Sequence, residues 1–397
     1  MWKTYHYSPK STRELKAVAD TMGIGVLKPG QVKGTRWLPH VSRALKSLIK
    51  PPKGDPHNDP GQYAAVLQHM EHLASTSQKA DIKGRAKYIA VAMKDIHFLA
   101  FCHFLADLFS TLETVSLKFQ QNDLILPSAV SLLRETYAKV SILPKRAAPD
   151  GWLESFDKVV KNSDDKALFQ GVTVVRSSQQ KRGKESSDLQ SEMDLAVELC
   201  KQGLQQRFSN LLEASSEKLN KEKSTAHTIV RDMLVFNVDA WPHDIDSLLD
   251  LGSDEVARLV TWFRPVLESG GCRVEAVPRE WVSLKVMVKT QFQDMAYSRL
   301  WATMLTKEPY KSDYENVLHL VELLLVLPIS SAQCERAFST QNRIKSAKRS
   351  CLETETTEDL IRISSEGPPV AEFVPSQAVE LWFSTGQRPR RPFFKNH

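Results

Sequence analysis

The spacing of apolar residues predicts helices along almost the whole chain. Across residues 63–121 apolar side chains recur every three or four positions, and between 88 and 119 they form one broad stripe. We predict a single helix of about eight turns there. The same spacing predicts shorter helices at residues 11–22, 127–143, 152–160, 188–219, 253–267 and 281–305.

The densest apolar stretch covers residues 314–327, where apolar side chains occupy most of the helix circumference. Such a helix must be covered, either inside a domain or between subunits. Pro328 ends it, and Ser330 and Ser331 are good N-caps for a second helix, with Gln333 completing a capping box after Ser330. We predict that this second helix covers residues 332–349.

Composition narrows the class of protein. The net charge of +6 over 397 residues does not by itself indicate nucleic-acid binding, and no apolar run predicts a membrane span or a secretion signal. Five cysteines without CxxC spacing predict reduced thiols inside the cell, and we expect no metal site and no cofactor. Asp244 and Asp246 have the spacing of cation ligands, but a helix cap explains them more simply. His97 and His103 are predicted core residues.

A short motif follows the apolar helix and its proline. Residues 334–339 read CERAFS, and residues 348–352 read KRSCL. This order resembles the C-terminal dimerisation region of hAT-family transposases, and the likeness covers residues 310–363. It is also similar to vertebrate proteins that join zinc fingers to this region. The resemblance implies dimerisation through the apolar helix and the motif, with these candidate contacts: Leu318, Val321, Leu324, Leu325, Leu327 and Phe338.

A second, shorter likeness lies near the start of the chain. Thr35-Arg36-Trp37 resembles the TRW element of hAT transposases, where the tryptophan is thought to stack on a flipped base. A core anchor at a loop-to-helix joint is the alternative for Trp37. Candidate DNA contacts are therefore Arg36 and Trp37, together with the cations of the second C-terminal helix, which also suit a solvated helix face: Arg343, Lys345, Lys348 and Arg349.

The resemblance also bears on catalysis. In active relatives the glutamate at the Glu335 position is the last of three acids that hold two metal ions on a ribonuclease-H-like fold. The other two acids lie on strands before the TRW element, and here only Asp20 is an aspartate in that part of the sequence. We therefore expect Glu335 to be a vestigial position, the first catalytic strands and the zinc finger to be absent, and the protein not to be an enzyme.

Together these patterns predict a mainly α protein. The predicted segments are a ribonuclease-H-like remnant at 1–50, a helical insertion at 51–305, the hAT dimerisation region at 306–366 and a tail at 367–397. The expected function is that of a nuclear, non-catalytic, domesticated protein in transcriptional or chromatin regulation, forming a homodimer or a heterodimer with a related hAT-type protein. The alternatives are a metal-dependent DNA transposase or nuclease subunit, and a helical scaffold that does not self-associate.

Overall fold

The computed structural model describes residues 1–29, 37–55, 58–121, 124–160, 166–175, 188–212, 225–292 and 295–384. These residues form nineteen α-helices and one two-stranded sheet, so the mainly α prediction is confirmed. They divide into two compact units, Met1–Ile329 and Ser330–His397. The ribonuclease-H-like remnant is not confirmed, because the two-stranded sheet is the only sheet within the described ranges.

The first half of unit 1 packs around one apolar core that includes Leu15, Val66, Phe104, Phe156 and Val197. Its helices are α1 Trp2–His6, α2 Pro9–Thr21, α3 Trp37–Ile49, α4 Gln62–Thr76, α5 Ala80–Met93, α6 Ile96–Lys118, α7 Leu126–Ile142, α8 Trp152–Val160 and α9 Leu189–Leu212. Of these helices, α7 and α8 begin and end within one residue of the positions that the apolar spacing predicts.

The predicted single helix over residues 88–119 is wrong, because the structure divides it into α5 and α6. Asp95 separates the two helices, and its carboxylate accepts a hydrogen bond from the backbone N–H of His97 at 2.9 Å. An aspartate in this position caps the N-terminus of α6 and favours a new helix over continuation of the old one. His97 consequently lies exposed in the first turn of α6, not in the core.

Helix α6 is, among the described helices, the one long and apolar enough to cross a membrane by length and composition. Leu99, Phe104 and Leu108 on this helix are buried in the first core of unit 1. Contacts of this kind are typical of a core helix inside a folded unit.

A β-hairpin interrupts the helices, although the apolar spacing predicts only helices in this part of the chain. Strand β1 Lys166–Phe169 pairs antiparallel with β2 Val172–Val175. The connecting residues Gln170 and Gly171 both have positive φ, at 51° and 72°. Two such residues form the type of turn that matches the twist of a two-residue hairpin. The β-branched residues of β2 favour a strand as well.

The second half of unit 1 builds another core around two buried tryptophans, Trp281 and Trp301. The predicted helix over residues 281–305 is divided in two, and its first part begins earlier than predicted. The helices are α10 Thr225–Met233, α11 Ile245–Asp250, α12 Ser253–Ser269, α13 Val277–Gln291, α14 Tyr297–Thr306, α15 Tyr310–Asp313 and α16 Glu315–Leu325, with short 3₁₀ turns at Leu234–Phe236 and Val238–Ala240.

Unit 2 consists of α17 Ala332–Ile344, a 3₁₀ turn at Ala347–Arg349, α18 Thr354–Glu366 and α19 Ser376–Ser384. Helices α17 and α18 pack on each other. Helix α17 ends at Ile344, five residues before the predicted end at residue 349. The predicted capping box also does not form: Ser331 is the N-cap residue without a side-chain cap bond, and Ser330 Oγ accepts from the N–H of Ala332 at 3.2 Å.

The first fifty residues belong to the same compact unit as the helices that follow, and the predicted division into four segments stays a prediction. Tyr5 Oη lies 3.0 Å from His69 Nδ1, and Lys46 Nζ donates to Glu113 Oε2 at 2.9 Å. Contacts of this kind join the first fifty residues to the following helices in one core. The N-terminus of α2 is capped by Ser8, whose Oγ accepts from the N–H of Ser11, so this helix begins two residues before the predicted start at residue 11.

Candidate interaction surface

Helix α16 is covered by its own chain. Leu318, Val321 and Leu324 are buried in the second core of unit 1, and Leu325 and Leu327 are partly buried against the same core. The sequence left open whether this apolar helix is covered within a domain or between subunits. For the residues of α16 the cover lies within unit 1, and their assignment to a dimer interface stays a prediction.

A carboxylate on α13 fixes the start of α16. Glu280 accepts hydrogen bonds from the backbone N–H groups of Asn316 and Val317, both at 2.9 Å, and it also bonds the Asn316 side-chain amide. Asn316 Oδ1 in turn accepts from the N–H of Arg273 at 2.7 Å. Because the first N–H groups of a helix have no partner within the helix, this carboxylate satisfies donors that burial would otherwise leave unpaired.

Lys285, one helical turn after Trp281 on α13, is a fully buried amine. Its Nζ donates to the carbonyls of Leu249 and Leu251 at 2.8 and 2.6 Å, at the end of α11, and lies 5.2 Å from the centroid of the Trp281 ring. Burial lowers the pKa of Lys285 to about 8. A neutral amine still has two N–H groups, which is the number of carbonyls it faces here.

We expect this amine to make stability rise with pH on the alkaline side. Between pH 8 and 10.5 the unfolded chain keeps the proton that the folded chain has released, so the free energy of unfolding increases with pH in that window. Lys285→Met removes this titration. Denaturant unfolding of both proteins between pH 7 and 10 should show wild type gaining stability relative to the variant above pH 8. A difference that stays constant across this range would contradict the expectation.

Unit 2 has almost no core of its own. Of its described residues only Ala332 and Thr357 are buried. Phe338 on α17 and Ile363 on α18 have exposed fractions of 66% and 67%. Unit 2 thus leaves these two large apolar side chains in water and buries little apolar surface of its own. The structure therefore leaves Phe338, alone of the six predicted dimerisation residues, on the surface.

Glu335 lies exposed in the first turn of α17. A carboxylate at this position interacts favourably with the positive end of the helix dipole. Within the described residues, no three side chains of His, Cys, Asp or Glu come together in a way that would hold a metal ion. The vestigial status of Glu335 stays a prediction.

The candidate DNA contacts fall into two groups. Arg36 lies outside the described residues, and Trp37 is described only as the first residue of α3, so their contact with DNA stays a prediction. Arg343, Lys345, Lys348 and Arg349 are all exposed at the C-terminal end of α17 and in the following turn. Asp244, which the sequence offered as a cation ligand or a helix cap, is the N-cap of α11. Its carboxylate accepts a hydrogen bond from the N–H of Ser247 at 2.8 Å, as the cap interpretation predicts.

A cleft of about 600 Å³ lies in the first half of unit 1, and the apolar spacing of the sequence does not predict it. His103 lines it together with Trp152, Phe156 and Phe169. The His103 ring stacks on Phe156 with centroids 4.4 Å apart, and its Nδ1 donates to the carbonyl of Leu99 at 2.7 Å. Burial lowers the pKa of His103 to about 4, so the ring is neutral at physiological pH. Its prediction as a core residue is confirmed.

The fold and this surface define a helical protein whose C-terminal helix pair exposes large apolar side chains. Residues 279–366 match the model of the hAT family C-terminal dimerisation region. This part of the chain is therefore similar to that dimerisation region, which confirms the resemblance drawn from CERAFS. No solved structure matches the chain.

Proposed function

We propose that this protein acts by forming a dimer, either with a second copy or with a related hAT-type chain, through α17 and α18. The observation that carries the proposal is the lack of a core in unit 2 combined with the exposure of Phe338 and Ile363 in the matched region. Covering two such side chains on each of two copies removes apolar surface from water, which is the main favourable term in protein association.

Replacement of Phe338 by aspartate should weaken the dimer. A charge placed at the centre of an apolar contact leaves that charge without water or a partner, and such positions commonly change the dissociation constant by about tenfold to a hundredfold. Sedimentation velocity over a concentration series measures the change. Ser339→Asp is the matched control, because it adds the same charge to the same exposed helix one position away.

The outcomes of that experiment separate the alternatives. A wild-type chain that stays monomeric at micromolar concentration would support the non-associating scaffold instead. An equal loss of dimer in both variants would show that charge alone, and not the apolar position, is responsible. Circular dichroism should show unchanged helix content, because Phe338 is exposed in the single chain.

The same proposal holds that the protein is not catalytic. The exposed position of Glu335 in the first turn of α17 supports this, because its charge has a structural use there. Incubation of the chain with DNA and Mg²⁺ or Mn²⁺ tests it. Strand cleavage that disappears in Glu335→Gln would favour the transposase or nuclease alternative.

We further propose a nuclear location and a role in transcriptional or chromatin regulation. Relatedness to transposases supports both, since those proteins act on DNA. Tagged full-length protein that stays outside the nucleus would remove the basis for this part of the proposal.

A further inference from the structure

The segment that follows the matched region carries apolar side chains which the chain itself leaves exposed. Residues 367–384 come directly after α18 and end with α19. Val370 and Val374 have exposed fractions of 93% and 71%, and Phe373 and Val379 are exposed as well. An apolar segment of this length is costly to leave in water, which indicates that something covers it.

The secondary structure of this segment does not by itself explain why its sequence is apolar. Helix α19 has nine residues, and helices of that length are marginal in water without packing. Pro368, Pro369 and Pro375 restrict the backbone between α18 and α19, and the N–H groups of Glu372 and Phe373 donate to the carbonyl of Pro369 in a turn there. A helix this short gains stability by docking on a surface.

Charge indicates which surface that is. Residues 367–384 contain Glu372 and Glu380 and no lysine or arginine. In contrast, residues 335–349 contain five cations and a single carboxylate, and the same helix carries the exposed Phe338. An acidic, apolar segment and a basic, apolar helix face are complementary in both respects.

We propose that residues 370–384 form an arm that docks on α17 of a second copy of this chain. The apolar residues of the arm cover the Phe338 face, and its two glutamates lie beside the cations at the end of α17. Two observations support a second copy: the exposure of the arm in the single chain, and its continuity with the matched region that ends at residue 366. In a twofold dimer each arm docks once, so the contact forms twice.

This inference rests on the proposed dimerisation and extends it to residues outside the matched region. The first test is the paired substitution Val374→Asp and Val379→Asp in the full chain, with Gln377→Asp as control on the other side of α19. Sedimentation velocity should show a dimer dissociation constant raised about tenfold or more in the paired variant, and little change in the control. All three positions are exposed, so the fold of the single chain is preserved.

The results separate the inference from the proposed function. A wild-type dimer weakened by Phe338→Asp but unaffected by the paired arm variant would overturn the arm and leave dimerisation intact. A wild-type chain that is monomeric throughout would overturn both. An equal effect of the paired variant and of Gln377→Asp would also overturn the arm, because docking depends on the apolar side of α19.

A second test asks whether the arm reaches another copy. Cys334 is exposed on α17 one turn before Phe338, so Val379→Cys should place a thiol near it across the dimer. A short bismaleimide should then join two chains covalently, and the product should disappear in the Cys334→Ser background. Links formed only within one chain, or an equal yield of joined chains with Gln377→Cys, would contradict docking in trans.

Discussion

Replacing Arg258 by methionine should lower the free energy of unfolding of unit 1 by about 3–5 kcal/mol. The guanidinium of Arg258 donates two hydrogen bonds, each 2.8 Å long, to the fully buried carboxylate of Asp232 and so joins α12 to α10. Without it the partner that the described residues leave to the buried carboxylate is Arg231, whose Nη2 lies 3.5 Å away. A buried charge that loses its bidentate partner retains most of its desolvation cost.

Denaturant unfolding monitored by tryptophan fluorescence measures this loss. The matched control is the double variant Arg258→Met with Asp232→Asn, which removes the buried negative charge together with its partner. We expect the double variant to recover part of the stability that the single variant loses, because the energy arises from the pair. A double variant less stable than the single variant would show that the cost comes from packing instead.

Trp281→Ala should destabilise the second core of unit 1 by about 3–5 kcal/mol. Its side chain is 1% exposed and meets Phe236 and Trp241 edge-to-face, with centroids 5.3 and 5.6 Å away. The indole N–H also donates to the carbonyl of Leu251 at 2.9 Å. Truncation therefore leaves a large cavity and removes one of the two hydrogen bonds that the Leu251 carbonyl accepts, the other coming from Lys285.

Trp262→Ala on α12 is the matched control, because this tryptophan has an exposed fraction of 46%. Surface substitutions of this kind usually change stability by less than about 0.5 kcal/mol. Chemical denaturation of the two variants at the same pH gives the comparison. Similar losses in both would mean that the Trp281 site collapses to fill its cavity.

The positions of most helices could be predicted from the sequence because their apolar spacing follows from burial of one helix face. The interruptions could not. Asp95 ends one helix and begins another through a single cap bond, which leaves the apolar spacing on either side intact. The turn at Gln170 and Gly171 is likewise a two-residue signal, and it lies among segments whose spacing is helical.

The candidate interface could likewise be predicted only in part. Sequence identified α16 as a helix that must be covered, but spacing cannot say whether a neighbouring helix or a second chain provides the cover. The answer depends on Trp281, Trp301 and other residues distant in sequence, which come together only in the fold. Phe338 was predicted because it lies in the CERAFS motif, and the resemblance carried by that motif implies dimerisation through it.

Long-range caps lay beyond prediction for a different reason. Asp107 accepts hydrogen bonds from the N–H groups of Trp152 and Leu153 at 2.8 and 3.0 Å, and Glu280 serves α16 in the same manner. In each case the carboxylate lies on another helix, between 36 and 46 positions away. Capping rules applied to neighbouring residues cannot find such pairs.

The boundary between the compact units at residue 329 falls inside the matched region 279–366. Helices α13 to α16 of that region belong to the core of unit 1, whereas α17 and α18 belong to unit 2. A fragment cut at the family boundary would therefore expose Trp281, Leu284 and Trp301 to water, and its association would report a broken core rather than the native contact. The boundary of the family match and the boundary of the folded unit therefore lie at different positions in this protein, and association through the C-terminal helices should be measured on a chain that retains unit 1.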